Sequence, residues 1–164
     1  MLDGIYPEIV DECAAAVLAT VEPRAVYKRP ARNSRAVIVE ASSKLLPEIF
    51  PQYGAGPKHE RPIVLADWQR AAVDKHPERF LRGLIHSDGC RVYNVFTTRL
   101  PSGRVAVYRY PRYFFSNLSA DIRALFCEYC ERLGVRWTQS NHRNISVSHR
   151  RSVAILDGFI GPKS

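Results

Sequence analysis

The chain has 164 residues, 46% hydrophobic and 24% charged, which suits one compact domain or two small halves and excludes a disordered tail. Lys and Arg number 24 against 16 acids, a net charge of +8 that favours polyanions through Coulomb attraction and counterion release. No apolar run approaches the roughly 20 residues of a membrane helix, so a membrane is not an expected partner.

The N-terminal residues include Asp3, Pro7, Glu8, Asp11 and Glu12. They do not read as a basic start followed by an apolar run, so a cytoplasmic location with reduced thiols is expected. Tyr6 to Ala19 reads as a helix: Ile9, Cys13, Ala16 and Val17 recur at helical spacing, and Pro7 suits a first turn. Arg24 to Lys28 and Ala36 to Glu40 read as strands, with Pro30, Asn33 and Ser34 supplying turn chemistry between them. Ser43 to Ile49 follows as a short helix. Pro51 to Pro62 is a Gly/Pro loop whose tip carries Lys58, His59 and Arg61. Such a loop either clasps a phosphate backbone or links two halves.

Ala66 to Asp74 is a helix with Trp68 expected to pack inward. From Pro77 the pattern is α-β-β-α-β-β-α: helix Glu78 to Ser87, strands Arg91 to Arg99 and Arg104 to Phe115 joined by Pro101-Ser102-Gly103, helix Ser119 to Leu133 stopped by Gly134, strands Val135 to Thr138 and Ile145 to Ser148, and helix His149 to Ile160. Cys127 and Cys130 form a CxxC inside a helical pattern. No second ligand pair accompanies it, so core packing is the expected role.

Residues 81 to 89 read Leu-Arg-Gly-Leu-Ile-His-Ser-Asp-Gly. Gly83 has no Cβ and permits close approach of a second helix, flanked by the apolar Leu81 and Leu84. Asp88 falls at the helix C-terminus, where the dipole opposes a carboxylate and a bound cation would offset the repulsion. Six of the nine positions (Leu81, Gly83, Leu84, Ile85, Asp88 and Gly89) match the motif that names the LAGLIDADG homing endonucleases, which this segment resembles. The segments FPQYGAGPKHER, HSDGCR, YPRYFFSN and the closing GPK are also similar to the LAGLIDADG-like domains of actinobacterial DNA-binding regulators.

The resemblance implies an α+β fold with a saddle-shaped antiparallel sheet. Residues 77–164 would be the LAGLIDADG-like unit, and residues 1–76 a degenerate half-unit ending in the linker loop. It implies double-stranded DNA as partner and Asp88 as ligand of Mg²⁺ where the chain is catalytically active, with Arg150 beside the reacting phosphate. His86 stands where the family motif has an acid, and no DG-terminated helix precedes Pro77. A monomeric pseudo-dimer would therefore hold one motif acid. DNA binding of a regulatory kind with little or no cleavage is expected, the alternatives being a Mg²⁺-dependent homing-type endonuclease or nickase, and a dimerisation module.

Alternation along the first long strand puts Arg91, Tyr93, Val95, Thr97 and Arg99 on one face and Val92, Asn94, Phe96, Thr98 and Leu100 on the other. The second set is more apolar and is expected to face the helices. Arg91 and Arg99 would then face DNA, joined by Arg104, Arg109 and Arg112 from the next strand.

Overall fold

Pro7 fixes φ for a first helical turn and has no N–H to leave unpaired. Helix α1 accordingly spans Pro7–Val21 and buries Ile9, Val10 and Ala14. In the computed structural model the described residues are 1–21, 25–52 and 54–161. Arg24, at the head of the first predicted strand, lies outside them.

The described residues form an α+β protein with two open antiparallel sheets. They divide into two compact units, Met1–Arg70 and Ala71–Gly161.

In the first unit, β1 (Leu2–Asp3), β2 (Val26–Pro30) and β3 (Ala36–Ala41) pair in the order β1-β3-β2. Asn33 takes φ +55° in the β2–β3 turn, a conformation Asn tolerates because its short side chain can bond locally. Arg29 grips Glu40 across the strands at 2.6 and 2.7 Å. Helix α2 is a single turn, Leu46–Ile49, shorter than expected. Ser43 stands outside it and its Oγ accepts the Leu45 N–H.

Helix α3 spans Asp67–Lys75. Trp68 does not pack inward: it is 53% exposed. Gln69 holds the adjacent coil instead, with its amide donating to the Ile49 carbonyl and its oxygen accepting from Gln52 and the Ala66 N–H.

The second unit runs α4 (Pro77–Asp88), β4 (Gly89–Arg99), β5 (Val105–Ser116), α5 (Ala120–Arg132), β6 (Thr138–Gln139), β7 (Asn144–Val147) and α6 (Arg150–Ile160). That is the expected α-β-β-α-β-β-α order, with strands arranged β4-β5-β7-β6. Pro77 opens α4 in its first turn. Gly103 at φ +79° closes the β4–β5 hairpin, and Gly134 at φ +68° ends α5. Ser119 caps α5 by accepting the Ile122 N–H.

The core lies between one sheet face and three helices. Leu81 and Ile85 from α4, Tyr113 and Phe115 from β5, Phe126 and Tyr129 from α5, Ile145 and Val147 from β7, and Leu156 and Ile160 from α6 are all buried. Phe115 stacks on Phe126 at 4.4 Å. Each such side chain contributes about 1.5–3 kcal/mol on leaving water. Cys130 is buried among them, so helical spacing and packing account for its place beside Cys127. Tyr129 Oη donates to Asp74 at 2.6 Å, and Arg132 reaches the same carboxylate oxygen.

Candidate nucleic-acid interface

Helix α4 delivers Asp88 to the surface because its inward stripe is Leu81, Ile85 and His86. Asp88 follows as an exposed residue, and β4 begins at once with Gly89. Gly89 is extended, with φ −120° and ψ 173°. The site needs glycine for space: a Cβ there would lie 2.9 Å from both Ile85 Cα and the Phe114 carbonyl oxygen. Absence of a side chain lets the helix end press against β5.

Asn117 Nδ2 donates to Asp88 Oδ2 at 3.1 Å, and Ser87 Oγ reaches the same oxygen at 3.3 Å. Asn117 is itself fixed. It is buried, its Oδ1 accepts the Ser119 N–H at 2.9 Å, and its backbone carbonyl accepts from Arg123 at 2.7 Å. Sequence reasoning missed Asn117. The available signal was an Asn two residues before the Ser cap of α5, a position whose side chain can bond the backbone two residues on.

His86 points inward, 7% exposed, with Nε2 3.0 Å from the Ile160 carbonyl. The bond requires the proton on Nε2, so His86 donates to the last turn of α6 and serves that helix end rather than its own. It is not presented as a metal ligand. No group of three or more His, Cys, Asp or Glu side chains that could hold a metal ion occurs among the described residues. For Mg²⁺, Asp88 supplies one anionic ligand, and Asn117 turns an amide N–H, not an oxygen, toward it. Mg²⁺ accepts one or two carboxylates when phosphate oxygens complete its shell. Asp88 would therefore hold Mg²⁺ only with phosphate oxygens and water completing the shell.

The expected orientation of β4 is reversed. Arg91 pairs in register with Tyr113, and both side chains turn toward α6. Arg91 makes a two-pronged bond to Asp157 at 2.8 and 2.9 Å, and Tyr113 Oη donates to the same carboxylate at 2.6 Å. The Arg91 hydrogen bonds hold Asp157 below the usual carboxylate range. Burial, reinforced by the bond to Asp157, pushes the Tyr113 hydroxyl above the usual tyrosine range. Arg91 is thus committed to the helix side. Arg109 shares that face and lies 3.9 Å over the Tyr93 ring.

The face away from the helices carries Asn94, Phe96, Tyr108, Tyr110 and Arg112. Arg112 donates to Ser146 at 2.6 Å and lies 4.5 Å over Phe114. Its buried Nε has no hydrogen-bond partner among the described residues. Arg99 and Arg104 flank the exposed hairpin turn. Between Gly89 and Ser116 the sequence holds five arginines and no acid, so the hairpin is a cationic arm.

Arg150 opens α6 and is exposed. The far end of that helix, Ile160, is what meets His86. Eleven residues of helix span about 15 Å, so Arg150 is not brought beside Asp88. Of the motif helix residues, Leu81 is buried, Leu84 is half-buried and Gly83 is exposed. Among the described residues a Cβ on Gly83 would meet nothing within 4 Å.

In the first unit, Lys58 and His59 lie on a 3₁₀ turn, Lys58–Glu60, with His59 3.8 Å from Glu60. Arg61 folds back and donates to the Gly54 carbonyl, so it braces its own loop. No protein-family model matches the chain, and no curated protein matches it.

Proposed function

We propose that the protein binds double-stranded DNA through a LAGLIDADG-like unit, Ala71–Gly161, and acts as a regulator with little or no cleavage. The observation that carries this reading is the α-β-β-α-β-β-α unit whose first helix ends in Asp88-Gly89 and feeds directly into an arginine-rich, acid-free hairpin. Arg99 and Arg104 at the hairpin turn and Arg112 on the sheet face away from the helices supply phosphate contacts, and that face is the saddle that follows the groove; Arg109 lies on the opposite face, over Tyr93. Arg91 braces that sheet through Asp157 and is not a DNA contact. Weak or absent cleavage follows from the donor set, since Asp88 offers one carboxylate where two-metal chemistry needs acids around a pair of ions.

A Mg²⁺-dependent homing-type endonuclease or nickase is the second reading. One Asp88 suits nicking of a single strand, and the open space at Gly83 supports the double-strand form, because a second copy packed there would bring a second Asp88.

Fluorescence anisotropy with a labelled duplex tests the proposal. Affinity should fall with salt at a log–log slope of about −3 for three to four neutralised phosphates. Arg104→Gln should weaken binding and make the slope shallower by about 1. Supercoiled plasmid with Mg²⁺ should remain supercoiled. Nicking that Asp88→Asn abolishes would replace the proposal with the second reading. A slope near zero would remove DNA altogether and leave a dimerisation module.

A further inference from the structure

The face of β4–β5 away from the helices carries three aromatic rings in mutual contact. Phe96 and Tyr108 are register partners across the two strands, and Tyr110 lies two residues along on the same face. The centroids are 5.4, 5.8 and 6.1 Å apart, with interplanar angles of 27°, 33° and 7°. An axial column of three rings would set the outer two roughly twice as far apart as neighbours. These rings instead form a shingled triangle, and a shingled group leaves part of each ring uncovered. Phe96 is 45% and Tyr110 49% exposed.

Polar groups surround the rings on the same face. Asn94 is the register partner of Tyr110. Arg112 follows Tyr110 by two residues and is half-buried, its guanidinium anchored by a bond from Nη2 to Ser146 Oγ at 2.6 Å. The hairpin that carries them has no Asp or Glu. An apolar protein partner does not need that charge. A polyanion with flat, uncharged faces does.

Base faces are hidden inside a duplex, which offers only edges to a protein. Unpaired nucleotides offer both a phosphate and a bare π-face, and sheets that carry aromatic rings stack such bases without reading their sequence. Positions two apart on a strand lie roughly 6.5–7 Å apart, about the reach from one extended nucleotide to the next.

We propose that Phe96, Tyr108 and Tyr110 form a stacking platform for unpaired nucleotides, with Arg112 holding the adjoining phosphate. This rests on the nucleic-acid reading of the same hairpin, and it adds a preference for melted or single-stranded stretches over intact duplex. The platform takes any base, because each has a π-face. The sugar is left to the test.

The test uses the full chain and four labelled probes: a duplex, the same duplex with a central unpaired run, a thymidine strand and a uridine strand. The interrupted duplex should bind roughly tenfold or more tightly than the intact one, the scale of one stacked base. Phe96→Leu and Tyr110→Leu keep apolar bulk and should shrink that ratio toward one, with circular dichroism confirming the fold of each variant. A thymidine strand photocrosslinked through halogenated bases should yield adducts on the peptide containing Phe96 or that containing Tyr108 and Tyr110.

Equal affinity for intact and interrupted duplex overturns the platform, as does a ratio that survives both substitutions. Binding to single strands with none to intact duplex sinks the duplex reading and leaves the platform standing. Binding to no probe sinks both. A dimer in sedimentation that Tyr110→Leu dissolves would assign the face to a second copy and overturn the proposal. The thymidine and uridine arms tell DNA from RNA.

Discussion

Two glycines six positions apart in the same motif should respond oppositely to alanine. At Gly89 the added Cβ would lie 2.8 Å from Ile85 Cδ1, 2.9 Å from Ile85 Cα and 2.9 Å from the Phe114 carbonyl oxygen. The first neighbour can swing away. The other two are backbone, and yielding there means shifting the end of α4 off β5. Overpacking of this kind costs about 1–3 kcal/mol, offset by about 0.5 kcal/mol because alanine has a stiffer unfolded chain. A net loss of about 2 kcal/mol in a unit this size lowers the melting temperature by roughly 10 °C. At Gly83 the added Cβ would meet nothing among the described residues within 4 Å, in the middle of a helix. Alanine is favoured there by up to about 1 kcal/mol, so Gly83→Ala should melt no lower than the wild type. Thermal unfolding followed by circular dichroism measures both. If Gly89→Ala melts within about 2 °C of wild type, the close-approach account of the α4–β4 corner is wrong. If Gly83→Ala is the damaged variant, something covers that face in solution, and a dimer through α4 becomes the better reading.

Asp157→Asn removes the charged acceptor of Arg91 and Tyr113, a pair about a third exposed to solvent, and should lower stability by about 1 kcal/mol, seen as a lower urea midpoint. Because Arg91 holds the Asp157 carboxyl low, its contribution is complete above about pH 4 and disappears as pH falls through the folded-state value; the Asn variant should lack that loss. Tyr113 behaves in the opposite sense: its raised value gives a contribution that is full below about pH 10 and declines above it. Identical acid limbs for wild type and Asp157→Asn would show that the pair does not form. Iodoacetamide at pH 8 should modify the exposed Cys90 first. Burial pushes the Cys127 thiol up to about 11 and the Cys130 thiol higher still, so both should react slowly until the fold opens, as mass spectrometry of timed samples would show. Equal rates at Cys90 and Cys127 would contradict the packing of α5.

The elements of Ala71–Gly161 were legible because local chemistry decides their ends. Pro77 in a first turn, Ser119 as a cap, and Gly103 and Gly134 at positive φ each act within a few residues. Strand β6 is the exception: Val135 is buried, but the Arg136 N–H goes to Ser152 Oγ at 2.9 Å, so the ladder starts only at Thr138. The facing of β4 was not legible, for a different reason. Counting apolar residues on each side of β4 favours Val92 and Phe96 as the buried set, yet the outer arm is exposed on both faces, with Tyr93 and Val95 as open as Phe96. The residues that set the orientation are Tyr113 and Phe115 on β5, through their register with Arg91 and Gly89. Arg91 then reaches Asp157, 66 positions away, and His86 reaches Ile160, 74 positions away. No local pattern encodes either contact. Once both are in place, Arg91, expected on the groove side, is spent inside the unit, and Phe96, expected inside it, is turned outward. The nucleic-acid reading then rests on a hairpin that offers arginines near its tip and rings on its open face. Such a surface is better matched to a nucleic acid that has exposed bases than to one that has none.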